Sequence, residues 1–470
     1  MKEDLAFLEQ VTPELLARHD RPGPRYTSYP TAVEFTGEFG SDELLGRLEA
    51  ASARPERPLS LYLHVPFCER RCSFCGCNVI ITRKRDKADD YIEHLGRELE
   101  IVARRLGDRR RVVQYHWGGG TPTFLDESRM ERLHEKVSKY FDIDENAEVA
   151  IEVDPDVTSV AQLETARELG FNRLSIGVQD FDRKVLESVR RTQSAPRTRE
   201  LLEAGRELGF ASVNFDLIYG LPHQRPETFD RTLETVLEMR PDRLAVYSFA
   251  YVPWIRGNQR RIDESTLPDR ETKFALFALA VRRFLAAGYA QIGMDHFAVP
   301  EDELARAVEQ RRLFRNFMGY TVHRATEMIG AGVSSISSVE GAFAQNLKKP
   351  LSEYYRAIEE GRLPVERGRA LDEDDRIRGR TITELMCNFC VRFDEMSEEL
   401  GIDFTEYFAP ELELLAGEDG PVHRELVRLD GESLRVTPPG RLFVRNVAMV
   451  FDRYLAEKSK GDGPVFSRTV

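Results

Sequence analysis

Between residues 59 and 249 the chain alternates two textures. Short apolar, β-branched or aromatic runs recur: LSLYLHVPF (59–67), VVQYHWG (112–118), AEVAIEV (147–153), RLSIGV (173–178), SVNFDLIYG (212–220) and RLAVYSF (243–249). Longer segments with helical spacing separate them, at 88–106, 126–140, 158–169, 196–209 and 226–239. Strand-like runs alternating with helical ones predict an α/β fold of parallel strands joined by crossover helices. Six such units make a partial (β/α)6 barrel. A flat doubly wound sheet has the same periodicity, and the pattern alone does not separate the two.

Unusual polar residues gather just after these runs. Four cysteines follow the first, Gly118-Gly119-Gly120 end the second, and Asp154 follows the third. Gln179 and Asp180 follow the fourth, and Asp216 lies within the fifth. In β/α barrels the C-terminal strand ends build the active site, so one mouth is expected to collect these groups. Glu152, Gln179, Arg191 and Asp216 are candidate lining residues on this placement, although each taken alone reads as a surface or salt-bridge residue. His64 sits in the first strand near the cysteines, and packing explains it as well as function does.

Two regions flank the repeat. Residues 1–42 contain PGPRYTSYPTA, an irregular stretch that reads as an arm, leaving 43–367 as the catalytic domain. From 368 onward the acidic LDEDDR opens a helical pattern through Glu399, a hairpin is expected around Asp430-Gly431, and a helix follows through Tyr454. Residues 368–470 are therefore expected to form a small, mostly helical C-terminal domain.

Composition narrows the class. A 41% hydrophobic and 31% charged content is that of a soluble globular protein, and no run approaches the roughly 18 apolar residues of a membrane span. The first residues lack the layout of a secretory signal, which leads us to expect a cytoplasmic protein. A net charge of −13 argues against nucleic acid as a partner. The basic run Arg104 to Arg111 sits where a helix should end, and reads as a solvated terminus. No long apolar surface pattern stands out, so a monomer is expected.

Four of the six cysteines lie within ten residues, in HVPFCERRCSFCGCN. In a reducing compartment such crowding points to metal or redox chemistry. The spacing C-x3-C-x2-C lets a tight loop place Cys68, Cys72 and Cys75 on three irons of a 4Fe–4S cluster, leaving the fourth iron open to the amino and carboxylate groups of a methionine moiety. Electron injection through such a cluster would cleave a bound sulfonium, with Phe74 covering the adenine. A four-cysteine cluster using Cys77 and a zinc site are the alternatives; zinc pairs usually come as two separated C-x2-C elements, and the other pair here is distant. Cys387 and Cys390 fall in an apolar helical run and read as small buried hydrophobes. The glycines of HWGGGTPT suit a close backbone approach to a carboxylate or ammonium group.

The motifs together carry a resemblance. YLHVPFCERRCSFCGCN resembles the radical S-adenosylmethionine superfamily, and PRYTSYPTA, HWGGGTPT, IEVDP, NRLSIGVQDF, NFDLIYGLP, IGMDHFA, RNFMGYT, CNF and GRLFVRN in that order resemble the oxygen-independent coproporphyrinogen III dehydrogenases, often called oxidases. The resemblance implies oxidative decarboxylation of two propionates of coproporphyrinogen III to vinyl groups in haem biosynthesis, started by a 5′-deoxyadenosyl radical. It places the cluster on Cys68, Cys72 and Cys75. One S-adenosylmethionine would lie against Tyr62, Phe74, Gly119, Glu152 and Ile336. A second would lie against Gly120, Thr121, Gln179, Arg191, Asp216 and Ala250. Cys77 matches a fourth family cysteine tied to activity without ligating the cluster, and joins Tyr62, Arg25 and Tyr26 as a catalytic candidate. The arm carrying Arg25 and Tyr26 would close over the substrate. An electron donor such as flavodoxin or ferredoxin and an unknown acceptor complete the expected partners.

Tyr251 and Trp254 in SFAYVPWI, and Cys390, depart from the family pattern. The rivals within the superfamily are a haem chaperone, which lacks Cys77 and the PRYTSYPTA arm, and a porphyrin methyltransferase-like or haem-degrading relative.

Overall fold

The computed structural model describes residues 5–324, 326–348, 350–417, 426–458 and 466–469. All six expected strands form: β1 (Leu59–Val65), β2 (Arg111–Gly119), β3 (Asp142–Val153), β4 (Arg173–Gln179), β5 (Ser212–Tyr219) and β6 (Arg243–Ser248). They lie side by side in chain order, every neighbour parallel. A doubly wound sheet reverses its order at a switch point, and this one does not. Successive right-handed crossovers in unbroken order curl a sheet toward a barrel.

The sheet continues with β7 (Ala290–Ile292), β8 (His296–Ala298), β9 (Glu327–Ala331), β10 (Ile336–Val339), β11 (Ala342–Asn346) and β12 (Val365–Ala370). Strand β9 runs parallel to the outer edge of β1 and leads through antiparallel β10 and β11 to β12, while β8 and β7 extend the β6 side. The twelve strands keep two free ends, so the barrel is open.

The crossover helices are α1 (Lys87–Leu106), α2 (Glu127–Ser138), α3 (Val160–Glu168), α4 (Ala195–Glu207), α5 (Pro226–Met239) and α6 (Arg270–Ala286). Side chains that accept backbone N–H bonds start several of them, including Asp126, Ser159 and Ser194. Period-two alternation sorts each strand. Leu61, Leu63 and Val65 of β1, Tyr115 and Trp117 of β2, Ile151 and Val153 of β3, and Phe215 and Leu217 of β5 are buried in the main hydrophobic core with the helices. The intervening Tyr62, His64, His116, Glu152, Ser175 and Asp216 face the other way, into the barrel.

A second core joins the two ends of the chain: Val11, Leu15, Leu16, Tyr26 and Tyr29 pack with Ile377, Leu385, Phe408 and Phe451. The C-terminal helical pattern is shorter than expected. Helix α7 (Glu373–Asn388) stops at Phe389, whose φ of 55° is left-handed. Cys390 then enters strand β13 (Cys390–Arg392), not a helix, because Cys390–Arg392 pairs with Ser433–Arg435. The expected hairpin forms between β14 (Val427–Leu429) and β15 (Ser433–Val436). The last helical stretch is broken into Val444–Ala448, a 3-10 turn and Arg453–Lys458. Among the described residues no helix is long and apolar enough to cross a membrane.

Candidate functional site

The cysteine loop leaves β1 at Pro66 and is fixed from three sides. Phe67–Cys68 pairs with Ile80–Ile81, folding the loop back on itself. The Ser73 N–H donates to Val189 O at 3.1 Å. Asn258 Nδ2 donates to the carbonyls of Cys72, Ser73 and Cys75 at 3.2, 2.9 and 3.1 Å, and Gln259 Nε2 reaches Phe74 O at 3.4 Å. One amide thus gathers three carbonyls of the loop, which holds the three thiols in a fixed arrangement.

The thiols are not equivalent. Burial pushes Cys68 up to about 12, with Thr121 Oγ1 at 3.5 Å opposing it. Burial also raises Cys72, against the guanidinium of Arg191, whose Nη1 lies 4.0 Å from the sulfur. The Cys77 thiol, hydrogen-bonded to Cys75, pulls Cys75 down to about 6 against the effect of burial. The Cys77 backbone N–H, 3.4 Å from Cys75 Sγ, acts in the same direction, as do Arg71 and Arg256. Of this coupled pair, Cys75 carries the negative charge and Cys77 keeps its proton.

The glycine turn closes the next wall. Its N–H groups are used within the protein: Gly119 donates to Glu152 Oε2 at 3.2 Å, Gly120 to Val65 O at 2.8 Å and Thr121 to Phe67 O at 2.9 Å. Glycine is required here by close approach to the chain itself. A Cβ on Gly120 would stand 2.7 Å from Phe67 O and Pro66 C, and one on Gly119 2.5 Å from the His64 ring.

The barrel interior supplies carboxylates. His116 Nε2 lies 3.2 Å from Glu152 Oε1, and its ring stacks on Tyr62 with centroids 5.8 Å apart. Burial favours a protonated Glu152, but His116 and the Gly119 N–H outweigh it and hold the carboxyl below its usual range. Asp216 accepts from Asn214 Nδ2 at 2.9 Å and Ser175 Oγ at 3.2 Å. Burial, then the charge of Glu152, raise it to about 6. His64 Nε2 donates to Asn78 O at 2.9 Å, so its Nδ1 accepts from the Tyr62 hydroxyl at 3.2 Å. Burial lowers the affinity of His64 for a second proton.

Cys68, Cys72, Phe74, Cys75, Cys77, Gly119, Gly120, Thr121, Glu152, Gln179, Arg191 and Asp216 all border one pocket of about 150 Å³. Arg191 is nine-tenths buried there, bonded to Asp154 Oδ2 at 2.5 Å and Gly177 O at 2.6 Å. Gln179, at a positive φ of 61°, has its Oε1 buried without a hydrogen-bond partner among the described residues. An orphaned acceptor beside two carboxylates suits a ligand that is a cation and a hydrogen-bond donor. Among the described residues no three His, Cys, Asp or Glu side chains are close enough to hold a single metal ion.

The other candidates lie apart from this lining. Tyr62 is two residues deeper on β1 than His64. Ala250 follows β6, and its carbonyl accepts from Gln259 Nε2 at 2.9 Å. Ile336 opens β10, with its carbonyl against Gly330. Arg25 Nη2 donates to Ser248 O at 2.8 Å, at the end of β6. Tyr26 is buried, its hydroxyl 2.9 Å from Asp452 Oδ2, and it lines a different cavity with Phe314 and Arg315. Sequence reasoning missed His116, Asn258 and Gln259. Alternation with Gly118 on β2 marks His116 as inward-facing; the irregular segment holding Asn258 carries no comparable signal.

Residues 62–236 match the family model for the radical SAM superfamily, and residues 371–443 match that for the HemN C-terminal domain. The chain is 45% identical over 449 residues to the oxygen-independent coproporphyrinogen III oxidase of Escherichia coli, spanning 95% of this chain and 96% of the relative. It is 41% identical to the protein of that name from Synechocystis, over 98% of both chains. The solved structure of coproporphyrinogen III oxidase (HemN) from Escherichia coli, described as a radical SAM enzyme, superposes with a TM-score of 0.87 at 44% identity, over 92% of this chain and 97% of that one.

Proposed function

The chain belongs to the family of oxygen-independent coproporphyrinogen III oxidases within the radical SAM superfamily, and from that membership we infer how its pocket works. The enzyme is an oxidoreductase of haem biosynthesis. It converts two propionates of coproporphyrinogen III to vinyl groups, giving protoporphyrinogen IX; each propionate gives up one hydrogen atom and carbon dioxide and passes one electron to an acceptor. A 4Fe–4S cluster and S-adenosylmethionine, when bound, supply the 5′-deoxyadenosyl radical that takes hydrogen from a propionate β-carbon, a route that an unactivated propionate needs because it has no carbanion sink.

Our assignment of roles rests on the convergence of twelve candidate residues on one pocket. Cys68, Cys72 and Cys75 would hold the cluster, and Asn258 fixes their loop. Glu152, kept ionised by His116, would offset the positive charge of the first S-adenosylmethionine. Tyr62, Phe74, Gly119 and Ile336 complete that subsite. The second S-adenosylmethionine is assigned to Gly120, Thr121, Gln179, Arg191, Asp216 and Ala250, where the unpaired Gln179 Oε1 offers an acceptor. Cys77, protonated beside Cys75, is assigned a part in activity without ligating the cluster. Arg25, at the end of β6, borders the substrate space, and Tyr26 anchors the arm to Asp452. We assign residues 1–42 to the arm, 43–367 to the catalytic domain and 368–470 to the C-terminal domain, in a cytoplasmic monomer served by flavodoxin or ferredoxin.

The test is anaerobic incubation of reconstituted enzyme with S-adenosylmethionine, dithionite and coproporphyrinogen III. Protoporphyrinogen IX should appear together with 5′-deoxyadenosine; cofactor cleavage without vinyl product contradicts the decarboxylase reading.

A further inference from the structure

The chain is acidic overall, with a net charge of −13, yet the face outside the cysteine loop is basic. A groove there is lined by Arg70, Arg71, Arg83, Arg190 and Arg261, with Glu69 as its acid. Glu69 is itself paired with Arg85, and Arg70 with Asp156. Arg83, Arg190 and Arg261 are exposed, and no ion pair among the described residues involves them. Arg256 adds a further cation next to Gly76 of the loop, 3.9 Å from where its Cβ would stand.

Beside these charges the surface is apolar. Ile81 is 44% exposed, Trp254 54% and Ile255 56%, three of the five large hydrophobic side chains exposed among the described residues. Trp254 and Ile255 lead directly into Arg256, and the same segment carries Asn258, which grips the backbone of Cys72 and Cys75. The basic and aromatic surface is thus bonded directly to the loop that would hold the cluster. Arginine and tryptophan together are what protein interfaces concentrate at their centres.

We propose that this face is the docking site of an acidic one-electron carrier protein that reduces the cluster, a proposal that rests on the function assigned above. Charge opposite to that of the rest of the molecule orients an acidic partner toward a face that includes residues of the cysteine loop. One electron passes from the carrier's reduced cofactor to the cluster; the carrier is left oxidised by one electron, and no bond is made or broken.

The experiment uses anaerobically reconstituted holoenzyme and flavodoxin as the acidic probe. Two triple variants are compared: Arg83→Glu/Arg190→Glu/Arg261→Glu, and the neutral Arg83→Gln/Arg190→Gln/Arg261→Gln. Calorimetric titration should show flavodoxin affinity falling about tenfold or more in the charge-reversed protein and by less in the neutral one, with a shallower salt dependence in both. Dithionite-driven release of 5′-deoxyadenosine should stay within about twofold of wild type. Unchanged flavodoxin affinity overturns the proposal. So does an equal loss with dithionite, which marks a structural defect, and so does a raised KM for coproporphyrinogen III with dithionite, which assigns the patch to the substrate. Wild-type enzyme that releases no 5′-deoxyadenosine with dithionite overturns the functional reading instead.

Discussion

Cys77 offers its backbone N–H to the sulfur of Cys75 at 3.4 Å, and its own thiol keeps its proton while Cys75 carries the charge. The two residues therefore do different work. Cys77→Ser retains a donor toward Cys75, so iron content and the visible absorption of the reconstituted protein should match wild type. Vinyl product should fall about 10–100-fold, as for loss of a group beside a metal centre. Loss of iron in this variant contradicts ligation by three cysteines.

Asp216 titrates at about 6 rather than at its ordinary 3.8 because it is buried beside Glu152. A raised carboxylate contributes stability that is present below pH 3.8 and lost as pH rises through about 6. Asp216→Asn removes the buried charge. It should stabilise the protein without added S-adenosylmethionine by about 1–3 kcal/mol at pH 7.5, with the difference shrinking toward pH 4. Denaturant melts of both proteins across that range check the sign; destabilisation at pH 7.5 contradicts it.

The three backbone atoms around Gly120 leave no room for a methyl group. Gly120→Ala should lower stability by about 2–4 kcal/mol and impair cluster reconstitution, because Phe67 immediately precedes Cys68. Gly46, exposed in the helix Ser41–Ala51 with nothing within 4 Å of its added Cβ, gives the contrast. Gly46→Ala should stabilise by about 0.5–1 kcal/mol. Thermal melts of both variants separate crowding from a generic effect of replacing glycine.

Glu98 of α1 is buried and accepts from Tyr354 OH at 2.6 Å, Gly332 N–H at 2.8 Å and Asn346 Nδ2 at 2.6 Å. Burial raises its carboxyl to about 7 against these three donors. Its contribution to stability is therefore present below pH 4.5 and lost as pH rises through about 7. Tyr354→Phe removes one donor to the ionised form and should cost about 1–3 kcal/mol at pH 8, and less at pH 6. Equal costs at the two pH values contradict the network.

Much of this was legible in the sequence because β/α repeats write their geometry in simple periods. The six runs became six strands, and alternation put Glu152 and Asp216 on the inner face while Ile151 and Phe215 went to the helices. Other features depend on distant partners. Tyr26 looks like part of a free arm until its hydroxyl meets Asp452, 426 residues away. LMCNFCVRF reads as one helix, yet Phe389 turns left-handed and Cys390 joins a strand whose partner, Arg435, lies beyond the next helices. Arg191 stands off any strand; its place after the fourth run made it a candidate and the resemblance made it a cofactor contact, while its bonds to Asp154 and Gly177, which no period encodes, show how it is held. Asn258 comes from an irregular segment with no period to read.

Abstraction of hydrogen from a propionate β-carbon of coproporphyrinogen III leaves an isotopic record in the 5′-deoxyadenosine released. Substrate deuterated at those β-carbons is turned over anaerobically with unlabelled S-adenosylmethionine, and the released 5′-deoxyadenosine is analysed by mass spectrometry. 5′-Deoxyadenosine heavier by one deuterium should form alongside vinyl product; unlabelled 5′-deoxyadenosine accompanying the same product would show that the hydrogen comes from elsewhere.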